Sequence, residues 1–424
     1  MSTGDHPPTG HRRLVYLVGL LVLVGIAAPL FRKPVQRAFL LHSILRVDAP
    51  SESAFQELAD GAREPFEFLQ RVWNTLRIPQ RVLVAAYLKD RASTNPELYQ
   101  QAKSLLIAAT QDVDFSVREL ALAALAQQKH PALASLAASL LRDADPETRL
   151  LGLQYLRRQD PTTALPVVFG LLDDPDLRVV TGADSALRTW TQQDFGIRLS
   201  QISFNVETSN SSVDPAHLKT IQEGVQRWKE WRNDQDHLTD PLPAPVAAVT
   251  PQRLPAADFA LKDLTGKTVR FSDFGGKVVL LNFWTTWCPG CQTEISNLIE
   301  LQTRNANRLV ILGISLDGQT AVDEHGHLVG THFDDGDDHA EDDAPRRIDL
   351  AQLRAKVDRF VKDKGVNYLV LLDPDFEIGR RFNGGELPVN VLIDPKGYLR
   401  RRFIGGRNVA VLQAMIDELY RPVP

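Results

Sequence analysis

The sequence predicts a multidomain chain: an N-terminal transmembrane helix, an all-α repeat region and a C-terminal α/β domain. Three observations carry this. An apolar run occupies residues 14–30, apolar residues recur at helical spacing between about 50 and 237, and beyond a proline-rich stretch strands and helices alternate. A chain of 424 residues is expected to hold two or three domains. A net charge of -5 gives no general case for nucleic-acid binding, and no nucleic-acid partner is expected.

The N-terminal element comes first. Residues 14–30 (LVYLVGLLVLVGIAAPL) follow His11, Arg12 and Arg13, and the run is just long enough for a tilted or short membrane span. It exceeds a usual signal-peptide core, and no clean A-x-A cleavage site follows. The expectation is an anchor or signal over 14–31 behind a tail of residues 1–13, uncleaved, with a cleaved signal peptide as the alternative. Arg32, Lys33 and Arg37 balance the charges on the other side, so charge does not orient the segment.

The second element spans 50–237. Apolar residues recur at helical spacing in 80–89, 98–109, 117–125, 133–141, 150–156 and 177–187, separated by turns such as Asn95-Pro96, Asp145-Pro146, Asp160-Pro161 and Asp174-Pro175. The turns repeat. Asp114, Asp145 and Asp174 each open a helix with an arginine four residues on, and Arg118, Arg149 and Arg178 are about thirty residues apart. Each unit reads as a helix pair that buries its apolar face against its neighbours. The pattern resembles short HEAT-type repeats, with residues 79–88 as a degenerate first member. The aspartates and arginines are read as structural. Residues 215–234 form a further helix whose Trp228 and Trp231 pack on a neighbour. The proline- and alanine-rich stretch (DPLPAPVAAVTPQRLP) sets a linker at 238–254.

The third element is the α/β domain, 255–424. Strands are expected at 269–271, 277–284, 308–316, 368–372, 389–394 and 398–404, with helices after the cysteines and at 350–364 and 409–420. This β-α-β order followed by a hairpin and a closing helix implies an α/β sandwich.

The chain has two cysteines, Cys288 and Cys291, so a framework of structural disulfides is excluded. A zinc site would need further ligands at matching spacing, and no second C-x-x-C exists. The pair lies where a buried strand gives way to a helix. There, unpaired N–H groups and the helix dipole favour a thiolate, lowering a cysteine pKa from about 8.5 to roughly 3.5–7.5. Pro289 suits the first helical turn because no donor is needed there. Cys288 is therefore expected to be exposed and nucleophilic. Cys291, one turn in, is placed to resolve a mixed disulfide.

Four blocks carry a family resemblance. They are residues 258–267 (DFALKDLTGK), 271–277 (FSDFGGK), 282–294 (NFWTTWCPGCQTE) and 385–397 (GELPVNVLIDPKG). In this order they resemble the membrane-tethered TlpA/ResA-type thiol-disulfide oxidoreductases of the thioredoxin superfamily. The resemblance implies a thioredoxin-like fold, Cys288 as attacking thiol, Cys291 as resolving thiol, and Pro388 as a cis-proline facing them. It makes Glu294 a candidate proton acceptor, where spacing alone reads a solvated helix residue. Asn282 stands where thioredoxin has a buried acid. Trp287, Pro289, Gly290 and Leu387 are expected to shape the substrate groove, with Trp284 as packing. Ser296 replaces a proline the family often carries, which puts a helix kink in doubt, and the Pro-Gly dipeptide leaves the direction of electron flow open.

An acidic, histidine-containing insertion at 318–347 holds His325, His327, His332 and His339 among nine Asp and Glu residues. Such ligands bind zinc, copper or nickel when preorganised. The glycine-rich irregular spacing reads instead as a solvated acidic loop. No cofactor is expected. The reading is thus a membrane-anchored protein-disulfide reductase with its redox domain on the extracytoplasmic, periplasmic side. Its partners would be a disulfide-containing client protein and a membrane thiol protein that donates electrons. Two alternatives stand beside it. One is a peroxiredoxin-like peroxidase, for which Thr285 lies three residues before Cys288. The other is a HEAT-repeat interaction scaffold with a redox-sensing domain.

Overall fold

The computed structural model describes residues 73–92, 94–205, 210–235, 254–318 and 349–421. The anchor at 14–31, most of the linker and His325, His327, His332 and His339 lie outside the described residues. No helix among the described residues is long and apolar enough to cross a membrane.

The helical region holds α1 (Ile78–Ala92), α2 (Pro96–Ala109), α3 (Phe115–Gln127), α4 (Leu133–Ser139), α5 (Pro146–Leu156), α6 (Pro161–Gly170), α7 (Leu177–Thr191) and α8 (Pro215–Asn233). Between α7 and α8 a small hairpin pairs β1 (Ile202–Asn205) with β2 (Asn210–Val213), which the helical reading of this stretch missed. The starts are written in the sequence. Asn95, Asp114, Asp145 and Asp214 each cap a helix through the side chain, and Pro96, Pro146 and Pro215 take the first turn, where no backbone donor is needed. Between the helices Leu105, Leu106, Leu122, Leu125, Leu133 and Leu187 form one continuous core. Trp228 is fully buried there, edge-on to Phe195 at 4.7 Å, its indole N–H donating to Asp184 at 2.8 Å.

The turns form a ladder of charge. In each Asp-x-Asp turn the first carboxylate accepts from the second residue's amide: Asp112 from Asp114, Asp143 from Asp145, and Asp174 from Asp176, at 3.0, 2.8 and 2.8 Å. The second aspartate caps the helix. Arginines then reach to the next turn: Arg81 to Asp112 (2.6 Å), Arg118 to Thr148 Oγ1 (3.0 Å) and Arg149 to Asp174 (2.7 Å). The third repeat corrects the expected register. Asp176, not Asp174, caps α7, so Arg178 lies only two residues past its cap. It pairs with Asp176 of its own turn and with Glu147 of the preceding repeat.

The α/β domain carries an eight-stranded mixed sheet in the order β3-β10-β9-β6-β7-β8-β4-β5. Its strands are β3 (Leu254–Pro255), β4 (Ala260–Asp263), β5 (Thr268–Arg270), β6 (Val278–Trp284), β7 (Leu309–Ser315), β8 (Leu369–Leu372), β9 (Val389–Ile393) and β10 (Tyr398–Ile404). Its helices are α9 (Pro289–Arg304), α10 (Leu350–Lys364), the five-residue α11 (Glu377–Arg381) and α12 (Val409–Tyr420). Every residue of β6 is buried, between parallel β7 and antiparallel β9, which is why it reads as an unbroken apolar run. Leu254, read as the last linker residue, pairs instead with Leu399 as the start of β3.

The two faces of β6 have different covers. Val278, Leu280 and Trp284 pack with Leu298 and Leu301 of α9, Leu353 and Val357 of α10, and Leu412 and Met415 of α12. Val279, Leu281 and Phe283 lie in a cluster with Phe376, Phe382 and two residues of the helical region, Ile78 and Val113. The helical region therefore packs on the sheet face opposite α9 and α12. At this junction the amide of Arg402 donates to the carbonyl of Val113 at 2.8 Å, and its guanidinium, fully buried, meets Asp114 at 2.7 Å.

Candidate active site

Strand β6 ends at Trp284, and the chain turns through Thr285, Thr286 and Trp287 into α9. The turn is pinned by Asp317 just beyond β7. Its carboxylate accepts from the Thr286 amide (3.0 Å) and hydroxyl (2.5 Å), from Ser315 Oγ (2.9 Å) and from Lys356 Nζ (2.8 Å). Gln292, on the first turn of α9, donates back to the Thr286 carbonyl at 2.8 Å. Cys288 is the N-cap of α9, and its sulfur accepts from the Cys291 amide at 3.1 Å.

The two cysteines are joined as a disulfide. Both are covered: Cys288 is 7% exposed and Cys291 2%. The expected exposure of Cys288 thus does not hold in the oxidised state, because the pair packs into the apolar cluster that holds Trp284 and Leu387, although Cys288 remains the more accessible of the two. Trp287 is exposed beside it, as is Pro289, while Gly290 is half-buried. The Leu387–Pro388 peptide is cis, and a Cβ on Gly290 would lie 3.5 Å from the Pro388 ring, so the dipeptide of the motif faces this loop. Leu387 is half-buried against the same apolar cluster as the cysteines. Trp284 points into the core on Phe360.

Glu294 lies one turn beyond Cys291 on α9 and is fully buried, in place of the solvated position that spacing alone suggests. Asn390 Nδ2 donates to Oε1 at 2.7 Å and Asn282 Nδ2 to Oε2 at 3.2 Å. The two asparagines are cross-strand partners of β6 and β9, and Asn282 also donates to Asn390 Oδ1 at 3.1 Å. Burial pushes the Glu294 carboxyl from 4.5 up to about 7, against the pull of Asn390, Arg407 and Asn282. Near neutral pH this group therefore both takes up and gives up a proton. Asn282, which stands where thioredoxin has a buried acid, thus supplies a hydrogen bond to an acid on the neighbouring helix. Helix α9 runs without interruption past Ser296.

Asp317, Asn390 and Arg407 were not singled out from the sequence. The only signal for Asp317 is its place at the carboxyl end of a buried strand, beside the end of β6. Among the described residues no cluster of His, Cys, Asp and Glu is placed to hold a metal ion.

A dithiol/disulfide pair at the N-terminus of a helix that follows a central strand, against a cis-proline loop, defines a thioredoxin-like redox domain. The family models agree. Residues 253–402 match the AhpC/TSA family, and residues 102–188 match HEAT repeats. The thioredoxin-like protein YneN of Bacillus subtilis (strain 168) is 42% identical over 60 residues, which is 14% of this chain and 35% of that protein. The thiol-disulfide oxidoreductase ResA of the same organism is 28% identical over 138 residues, 32% of this chain and 59% of ResA. The chain thus spans less than two thirds of the length of either relative. A solved thiol:disulfide interchange protein of the thioredoxin family from Chlorobium tepidum TLS is 24% identical, covering 39% of this chain and 96% of that one, with a TM-score of 0.29. The C-terminal part of the chain is an AhpC/TSA-type, thioredoxin-like domain homologous to the ResA thiol-disulfide oxidoreductases, with HEAT repeats N-terminal to it.

Proposed function

We propose that the protein is a membrane-anchored thiol-disulfide oxidoreductase that reduces disulfides of exported client proteins. The single observation that carries this reading is the Cys288–Cys291 disulfide at the start of α9, with the buried Glu294 carboxyl one turn away. In the reduced protein, the Cys288 thiolate attacks a client disulfide. One S–S bond forms between Cys288 and the client, one breaks, and the departing client thiolate takes a proton. Cys291 then passes its proton to the carboxylate of Glu294 and attacks the Cys288 sulfur. The internal disulfide forms and the second client sulfur leaves as a thiolate. Two electrons have moved to the client, and a dithiol donor must return them.

Homology to proteins named thiol-disulfide oxidoreductases supports the chemistry. The apolar run at 14–30 supports the tether, and with it the extracytoplasmic placement and a membrane thiol protein as electron donor. The test is trapping with insulin as a generic disulfide polypeptide. The reduced full chain carrying Cys291→Ser is expected to accumulate a mixed disulfide that dithiothreitol releases, and Cys288→Ser is expected to give none. Trapping by neither variant would remove the proposal.

A second reading has one specific observation. Thr285, three residues before Cys288, is fully buried, and its hydroxyl has no hydrogen-bond partner among the described residues. That spacing suits a peroxidase. Consumption of hydrogen peroxide well above the rate of free thiol would favour it.

A further inference from the structure

The helical region touches the redox domain through the same turns that cap its helices. Asp114 holds Arg402, Asp143 holds Arg401, and Asp145 holds Arg407. The third contact differs from the others in where it leads. Asp145 takes Arg407 with both oxygens, Oδ1 to Nε at 2.9 Å and Oδ2 to Nη2 at 3.2 Å, and both side chains are buried. The remaining nitrogen, Nη1, donates to the carbonyls of Ile404, Gly405 and Gly406 at 3.1, 3.4 and 3.0 Å. It thereby folds the turn between β10 and α12 around itself.

That turn supports the redox site from below. The Gly405 amide donates to the Pro388 carbonyl at 2.8 Å, so the cis-proline loop rests on it. The Gly405 carbonyl accepts from Asn390 Nδ2 at 3.5 Å, and the same amide group holds Glu294. The Arg407 carbonyl accepts from Asn297 of α9 at 3.2 Å. A carboxylate of the helical region is thus two side chains away from the residue beside Cys291.

We propose that Arg407, clamped by Asp145, is a positioning residue of the redox site, and that the helical repeats are therefore a working part of that site. The proposal rests on the oxidoreductase reading for its consequence, but not for its geometry. The clamp acts in two ways. It fixes the Gly405–Gly406 turn under Pro388, and it neutralises a buried cation that faces Glu294. Each charge sees others. Arg407 faces Asp145, Glu147 and Glu294; Asp145 also feels Arg401, and Arg118 feels Asp145; Glu294 faces Asn282, Asn390, Arg407 and the buried, protonated Tyr368. Removing Asp145 leaves Arg407 unneutralised and favours the Glu294 carboxylate. Removing Arg407 disfavours it.

The test uses the full chain and reads Glu294 directly, without turnover. The infrared band of the protonated carboxyl is titrated against pH, with Glu294→Gln to identify it. Asp145→Asn keeps an oxygen for the helix cap and is expected to fold. It should lower the midpoint by ~0.5 pH unit or more, and Arg407→Gln should raise it by a similar amount. Arg407→Lys should restore most of the parent value. The control is Asp143→Asn, which loosens the same junction through Arg401, keeps an oxygen for the Asp145 amide and has no bond to Gly405, so it should move the midpoint clearly less than Asp145→Asn. Shifts of the same sign in Asp145→Asn and Arg407→Gln would overturn the proposal. So would an equal shift in Asp143→Asn, or no shift in folded variants. Because insulin trapping is measured separately, failure of the oxidoreductase reading leaves a different signature from failure of the clamp.

Discussion

Glu294→Gln removes a buried carboxyl that holds its proton up to about pH 7 in the folded chain, against an ordinary value of 4.5. Between those limits the folded state binds a proton that the unfolded state has released, so stability falls as pH rises through the window. It is constant below and above. The difference corresponds to about 3 kcal/mol at full burial, an upper figure because water and side-chain relaxation soften it. Glutamine cannot titrate, so this component disappears. The substitution also has a cost independent of pH. The new oxygen still accepts from Asn390, but the amide nitrogen faces the Asn282 donor, and one lost bond costs about 1 kcal/mol. The diagnostic is therefore the slope. Urea midpoints of parent and variant, both disulfide-bonded, are compared from pH 4.5 to 8. The variant should be the less stable at pH 4.5 and should gain on the parent steadily up to pH 7. A difference that stays flat across the window would mean that Glu294 is already ionised at pH 4.5, and the proton-acceptor role would fall with it.

Other expectations follow from the same contacts. Arg402→Ala leaves Asp114 buried without its cation and two carbonyls, of Phe382 and Asn383, without their donor; thermal unfolding should report a loss of about 3–5 kcal/mol, and a loss below about 1 kcal/mol would contradict the buried junction. Trp228→Phe keeps the ring in the helical core but takes the donor from Asp184, costing about 1–3 kcal/mol in the same assay. Asp317→Ala frees the Thr286 amide and hydroxyl that set the turn before Cys288; insulin reduction should slow by about tenfold or more with secondary structure unchanged.

Much of this architecture was legible because local chemistry states it. Strand β6 is a run of apolar and β-branched residues, as burial on both faces requires. Helix α10 is bounded by the Asp349 cap and by Gly365 in the left-handed region, and α12 begins after the Asn408 cap, so their limits could be read directly. What escaped has long-range causes. Each repeat turn carries two aspartates, and only the observed hydrogen bonds distinguish the one that caps from the one that supports it. The two-residue β3 is made by its pairing with β10 rather than by its own composition. Arg402 and Arg407 looked like ordinary charged residues near the C-terminus, yet they meet Asp114 and Asp145, 288 and 262 positions earlier. Nothing in local sequence announces such pairs. The burial of Glu294 has the same origin, since its partners Asn282 and Asn390 become neighbours only when β6 and β9 align.

The proposed reductase requires that Cys288 and Cys291 form a reducing dithiol. Equilibrating the full chain with dithiothreitol or glutathione buffers, and counting free thiols at each ratio, measures this directly. One two-electron transition is expected near or below about -250 mV, in the thioredoxin range. A value nearer about -120 mV would mark a disulfide donor and contradict it.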